Sequence, residues 1–469
     1  MGVDLLRCRE LEVPEANPFH NDALDRKESS EALTEFVLSA REPLVICIDA
    51  PWGQGKTTFL RMWEQNLKNS QVPTIYFNAW ENDFSEDALV SLIGEISSAL
   101  SELSKTGDES KAKKYFEKAR SVSTALLKRS VPVATKMATA GMLDLGELTE
   151  QSLSDFAESL AKEQIEQYEK SKKSLRAFRK ALTEFAASIT NENDPKPLVF
   201  IIDELDRCRP NYSIEVLEKA KHFFNVENIV FVLGADKIQL GSSIRAIYGS
   251  GLNVNGYLRR FIDFDYLLPP PDKGRFVKAL FQKYSFSEYF SQKDGRGVQY
   301  EHEHALTMFE ELFDVLRLTL REQEHCCSLL NLAIKTTPHN YKLYPLFLCF
   351  LIVLKVKFTE LYNDLVSERI SPHELLVQFR NISGADRILE SNYGMALEAH
   401  IIICKSQRHS HGDILEGYTD IMESGETTDE QKYRANRILA LVKSFDFDGG
   451  VGVLGYLVNK IEVASRFKS

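Results

Sequence analysis

The sequence predicts an α/β protein: a doubly wound parallel sheet that carries a long all-helical insertion and is followed by a C-terminal helical domain. Three observations predict it. Strand-length apolar runs alternate with helical patterns over the first 80 residues, in the order strand, loop, helix, strand. The alternation lapses between residues 87 and 190 and then resumes with two more apolar runs. After three consecutive prolines, Pro269, Pro270 and Pro271, strand signals become few.

The elements follow in order. Residues 20–40 read as a helix, with Leu24, Leu33, Phe36 and Val37 on a mostly apolar face. Residues 43–49 (PLVICID) are apolar enough for a strand buried on both sides. A glycine-rich segment follows, then a helical FLRMWEQNL, then a second strand at 72–80 (VPTIYFNAW). Residues 87–190 pattern as helix. Leu153, Phe156, Leu160, Ile165, Tyr168, Leu175, Phe178, Leu182, Phe185 and Ile189 recur mainly at spacings of three and four, suited to a long helix in a hairpin or coiled coil. Residues 197–203 (PLVFIID) and 229–236 (IVFVLGAD) are further buried strands, with an amphipathic helix at 211–225 between them. The expected organisation is a core of 1–86 and 191–271, an insertion of 87–190, and a C-terminal domain of 272–469.

Composition bounds the class. The 469 residues are 43% hydrophobic and 27% charged, the balance of an ordinary globular chain. A net charge of −11 argues against nucleic-acid binding over the whole surface. The opening residues lack the apolar core of a signal peptide. The stretch at 343–354 (LYPLFLCFLIVL) is shorter than the ~20 residues of a membrane helix, so it reads as a buried core helix. The segment at 126–145 carries Lys128, Arg129, Lys136 and Asp144, too much charge to span a bilayer. The expectation is a chain without an integral membrane segment. Seven cysteines lie scattered without a CxxC pair, which suits reduced thiols in the cytoplasm.

The chemistry concentrates at two places. Ala50-Pro51-Trp52-Gly53-Gln54-Gly55-Lys56-Thr57 matches GxxxxGK[ST] except at its first position. Such a loop, between a buried strand and a helix, turns backbone N–H groups inward as an anion nest. Pro51 to Thr58 are the candidate phosphate-binding residues. Lys56 would reach the β- and γ-phosphates of a nucleoside triphosphate, and Thr57 would offer its hydroxyl to Mg²⁺. Second, Val199 to Ile202 run straight into Asp203-Glu204. Asp203 is the candidate metal acid, acting through water. Glu204 is the candidate base that polarises the attacking water; the alternative is a solvated loop acid. Asp206 and Arg207 read as a local ion pair. Asp236 is either a sensor of the γ-phosphate or the N-cap of the following helix. Arg259 and Arg260 are candidates to stabilise transition-state charge, in cis or in trans; surface salt bridging is the alternative.

The motifs, taken in order, resemble the KAP family of P-loop NTPases: WGQGKTT, FNAW, a long helical insertion, FIIDELDRC, FVLGADK and YLRRFIDFDYLLP, across residues 17–271. The resemblance implies a P-loop ATPase of the additional-strand class, in which a strand lies between those bearing the two nucleotide motifs. It implies ATP and Mg²⁺ as ligands. Asp22 and Arg26 are similar to the family's N-terminal element near the base, which makes Arg26 a nucleotide-binding candidate. Family members often insert transmembrane helices between the two motifs, and this chain departs from that pattern. Bacterial members are associated with phage exclusion, which implies a role in anti-phage defence.

Three activities fit these residues: an ATP-driven switch or motor, a nucleotide-gated scaffold that docks a partner protein with negligible hydrolysis, and a P-loop kinase. The kinase lacks a compact arginine-rich lid. An arginine acting in trans would require a homo-oligomer. The basic run at 170–180 (KSKKSLRAFRK) reads first as a solvated helix face and second as a contact for nucleic acid or anionic lipid. Glu301-His302-Glu303-His304 and His325-Cys326-Cys327 hold metal-ligand residue types, but neighbours this close do not converge on a helix.

Overall fold

The computed structural model describes residues 12–40, 42–85, 87–103, 117–118, 121, 150–189, 195–291, 300–337, 341–405, 412–444 and 453–462. The segment at 126–145 lies outside them. The chain divides into two compact units, one mainly of Arg26–Pro269 and one mainly of Pro270–Ser469.

The first unit is built on five parallel strands: β1 Leu44–Asp49, β2 Thr74–Asn78, β3 Leu198–Asp203, β4 Ile229–Ala235 and β5 Phe264–Leu267. Their order in the sheet is β2-β3-β4-β1-β5, so β4 separates β1 from β3. This is the predicted α/β sheet, with the additional strand that the family resemblance implies. Period-two alternation divides the central strands between two cores. Val45 and Cys47 of β1, Phe200 and Ile202 of β3, and Phe231 and Leu233 of β4 face one side. Ile46, Ile48, Val199, Ile201, Val230 and Val232 face the other.

Helices cover both faces. On one side, α1 Lys27–Ser39 contributes Leu33 and Val37, and α2 Lys56–Asn69 contributes Phe59, Leu60, Trp63 and Leu67. The other side receives α3 Ala88–Leu103, α4 Glu150–Ser188, α5 Pro210–Phe224, α6 Lys237–Tyr248 and α7 Val254–Leu258. The first helix begins at Lys27, later than its apolar spacing suggests. Asp22 accepts the backbone N–H groups of Arg26 at 2.5 Å and Lys27 at 3.1 Å, and that carboxylate fixes the start.

The long helix has two different halves. Phe178, Ala181, Leu182 and Phe185 are buried in the sheet core, with Ser174 also covered. Ile165, expected on the same apolar stripe, is 61% exposed. Its described neighbours Lys162, Glu166, Glu169 and Lys170 are exposed too. Among the described residues of the stripe, those from Leu175 onward are the ones that meet the sheet core.

The second unit is helical throughout its described residues. Its centre is the helix Pro345–Lys357, in which Pro345 to Leu354 are all buried. No helix among the described residues is long and apolar enough to cross a membrane. Cys47, Cys208, Cys326, Cys327, Cys349 and Cys404 are buried free thiols, and burial pushes each thiol pKa up.

One buried charge organises part of this unit. Glu398 is fully buried and pairs with Arg380 at 2.6 Å, with Arg434, and with the Tyr418 hydroxyl, which donates to it. Removing the carboxylate strands two guanidinium groups. Glu398→Ala is therefore expected to cost about 3–5 kcal/mol, the range for breaking a buried ion pair. Urea denaturation checks this; a loss below about 1 kcal/mol would mean that solvent takes the carboxylate's place.

Candidate nucleotide-binding site

Parallel strands align their carboxyl ends, and ligands of open α/β sheets bind there. Asp49 of β1 pairs in register with Ala235 of β4, and Asn78 of β2 with Asp203 of β3. The loop at 50–57 leaves β1 at this edge and enters α2. Gly53 and Gly55 have φ of 73° and 77°, the left-handed region that glycine enters without strain. Gly55 is the N-cap of α2, so the N–H groups of the helix's first turn open onto the loop. Ala50 is absent from the left-handed positions, so its methyl group costs the backbone nothing.

Lys56 is buried, and its Nζ donates to the Ala50 carbonyl at 3.2 Å. It also lies 3.6 Å from Asp206 Oδ2. The indole N–H of Trp52 donates to that same oxygen. The backbone N–H of Trp52 donates to Asp236 Oδ2 at 3.1 Å. Two acids from neighbouring strand ends thus hold one loop residue, one by its main chain and one by its side chain.

Asp236 takes the N-cap placement and also holds the loop. Oδ1 caps α6 through the N–H groups of Ile238 and Gln239, while Oδ2 faces the loop. The local Asp206–Arg207 pair does not form. Glu204 has φ 60°, and this left-handed residue turns the chain into the 3₁₀ segment Leu205–Arg207. Asp206 is thereby aimed at Trp52 and Lys56, and Arg207 pairs with Glu204 instead.

Asp203 ends β3 fully buried. Burial pushes its carboxyl pKa up, and hydrogen bonds from Tyr76, the Glu204 amide and Thr57 oppose that shift. The Tyr76 hydroxyl donates to Oδ2 at 2.7 Å and the Glu204 N–H to Oδ1 at 2.7 Å. Thr57 Oγ1 donates to Glu204 Oε1 at 3.2 Å. Thr57, Asp203 and Glu204 therefore form an all-oxygen group beside the loop, the donor chemistry that suits Mg²⁺. Among the described residues no set of three or more His, Cys, Asp or Glu side chains is arranged to hold a metal. An ion with few protein ligands that shares phosphate oxygens fits such a site.

Arg26 is buried against the loop, and its Nη2 donates to the Gln54 carbonyl at 3.2 Å. Burial lowers its pKa, and Asp22 opposes that. Its Nε and Nη1 have no hydrogen-bond partner, nor do Gln54 Oε1 and Asp206 Oδ1. Buried polar groups without partners are rare, and these four atoms lie on residues of, or bonded to, one loop. Arg259 and Arg260 stand apart. Both are exposed at the end of α7, and Arg260 lies over the Tyr257 ring at 5.9 Å. Among the described residues, no hydrogen bond or ion pair joins either to the loop.

Comparison with known proteins supplies the family. The KAP family P-loop domain matches residues 26–342. The chain belongs to the KAP family of P-loop NTPases. It carries that family's nucleotide-binding fold. Solved structures similar to it include the ORC2 protein of Aeropyrum pernix, at 13% identity and TM-score 0.32, covering 95% of this chain and 94% of that one. Cdc6p of Pyrobaculum aerophilum is similar at 13% identity and TM-score 0.34, with coverage of 98% and 97%. DnaA of Aquifex aeolicus is similar at 11% identity and TM-score 0.27, with coverage of 99% and 100%. A comparison with curated proteins gives no match.

Two residues of this KAP site escaped sequence reasoning. Tyr76 sits inside an ordinary strand pattern, and nothing in TIYFN marks its hydroxyl for Asp203. Gly234 is the other. A Cβ there would meet Asp203 Oδ1 and Leu60 Cδ1, each at 2.5 Å. A glycine inside a buried strand is the signal that had been available. Gly234→Ala is expected to displace Asp203 and to lower stability by about 1–3 kcal/mol, the usual cost of overpacking. Denaturant titration measures it, and an unchanged midpoint would show that the strand yields freely.

Proposed function

We propose that this KAP-family chain is a Mg²⁺-dependent ATPase that works as a nucleotide-driven switch or motor in the cytoplasm. The observation that carries the reading is the set of buried, partnerless polar atoms of Arg26, Gln54 and Asp206 around a glycine-rich loop that presents Lys56. Such atoms are costly unless a ligand meets them. A nucleoside triphosphate offers matching groups: phosphate oxygens for Lys56 and the α2 N-terminus, and further acceptors for Arg26.

In this proposal Gly53 to Thr58 bind the phosphates. Thr57 and Asp203 hold Mg²⁺, which neutralises phosphate charge and orients the leaving group. Glu204 orients the attacking water, and Asp236 fixes the loop against the sheet edge. Arg259 or Arg260, exposed and far in connectivity from the loop, would complete the site of a second copy in a homo-oligomer. The helical second unit would then report the nucleotide state to a partner protein. The family's association with phage exclusion supports an output in bacterial anti-phage defence.

One observation favours the gated-scaffold reading. Glu204 Oε1 already accepts from Thr57 and pairs with Arg207, so that oxygen is engaged before any water arrives. Phosphate release from ATP, with Mg²⁺ and with or without added DNA or RNA, separates the readings. Lys56→Ala and Asp203→Asn are expected to lower release by roughly a hundredfold or more, the scale for losing a transition-state charge partner. Removal of Mg²⁺ with a chelator should do the same. Glu204→Gln should also slow release; equal rates in that variant and the parent would select the scaffold. Release from the parent no faster than from Lys56→Ala, under every condition, would remove the ATPase reading.

A further inference from the structure

We propose that Asp206 is the displaceable counter-ion of the P-loop lysine, a positioning residue through which phosphate binding is transmitted to the exposed ring of Trp52. The proposal rests on the ATP-binding reading above and adds a residue and a readout that the reading does not contain.

The geometry makes Asp206 unusual among the acids of the site. Its side chain is buried and its Oδ2 serves two loop residues at once, Lys56 at 3.6 Å and the Trp52 indole N–H. Its Oδ1 is buried with no partner. The other acids are tied to different groups: Asp203 to Tyr76 and a backbone N–H, Glu204 to Thr57 and Arg207 through Oε1, Asp236 to three N–H groups. Asp206 therefore has both the charge to compete for Lys56 and the spare acceptor to take up another donor.

The competition has a definite sign. A phosphate that takes Lys56 must draw it from an anion only 3.6 Å away, and it must then sit close to that anion. Both effects weaken binding, and inside a protein neither is well screened. As Lys56 turns to the phosphate, the carboxylate loses its ion partner. Its bond to the Trp52 indole is then the remaining tie between this acid and the loop, so the ring's environment changes with occupancy. Trp52 is 47% exposed, so the change is presented at the surface rather than dissipated in the core. The main-chain bond from Trp52 to Asp236 keeps the loop itself in place while the side chain responds.

The experiment uses the full chain with Trp80→Phe, leaving Trp52 as the exposed indole and Trp63 as the buried one. Mg²⁺ with the non-hydrolysable analogue AMPPNP is titrated against tryptophan fluorescence, and Kd is checked by calorimetry. Asp206→Asn keeps an acceptor for the indole but removes the charge. It is expected to tighten binding by roughly tenfold and to reduce the Trp52 signal on binding. A merely structural lesion in this turn would loosen binding, so tightening identifies the counter-ion. Trp52→Phe should abolish the signal, which assigns it to that ring. If Asp206→Asn does not fold, acrylamide quenching of Trp52 in the parent takes its place; quenching must change on nucleotide addition, and constancy overturns the proposal. Equal or weaker binding by a folded Asp206→Asn also overturns it, while the parent's own binding keeps the nucleotide-site reading intact. A parent that binds no nucleotide removes that reading and this one together.

Discussion

The site depends on a strand that lends it almost no catalytic chemistry. Strand β4 lies between the strand that feeds the P-loop and the strand that ends in Asp203, so it sets the spacing between the loop and that acid. It does so by omission. Gly234 leaves a gap that Asp203 and Leu60 fill, and a single methyl group would collide with both. Only the last contribution of the strand is polar. Asp236, just beyond it, caps α6 and holds the loop in one carboxylate, so helix and loop share a fixed origin.

Around that frame the acids are differentiated by the backbone rather than by their own identity. Asp203, Glu204 and Asp206 lie within four residues, yet they face a tyrosine, a threonine and a lysine. The left-handed conformation of Glu204 produces this separation. A non-glycine residue there costs of the order of 1 kcal/mol. The ion pair with Arg207 and the hydrogen bond from Thr57 offset that cost locally.

The sheet was legible because its signals are strong and local. Four strands are apolar runs with punctuated ends, and the P-loop announces itself through Gly53, Gly55 and Lys56. The order of strands came from resemblance, since spacing along a chain does not say which strands are neighbours. What stayed hidden depends on contacts distant in sequence. Tyr76 reaches Asp203 on the neighbouring strand, 127 positions away, and the Arg26 guanidinium reaches Gln54 across 28 positions. Asp206 was misassigned to Arg207 because adjacency in sequence favours that pair, whereas a positive φ two residues earlier turns the carboxylate away. Ile165 is exposed despite its apolar spacing for a related reason: periodicity shows which face is apolar, not whether a given position on it is covered.

The long helix then has a mechanical meaning. It is clamped in the sheet core from about Ser174 onward, while the described side chains before that point are exposed. The portion from Glu150 to Ser174 amounts to roughly 36 Å at 1.5 Å per residue. A rigid rod of that length, hinged at the core, turns a tilt of about ten degrees into about 6 Å of travel at its tip, by the same rise per residue. Movements too small to disturb the packing of Phe178 and Phe185 would arrive at the far end as displacements the size of a side chain. The helix has the proportions of a pointer, with its pivot on the face of the sheet that binds nucleotide at its edge.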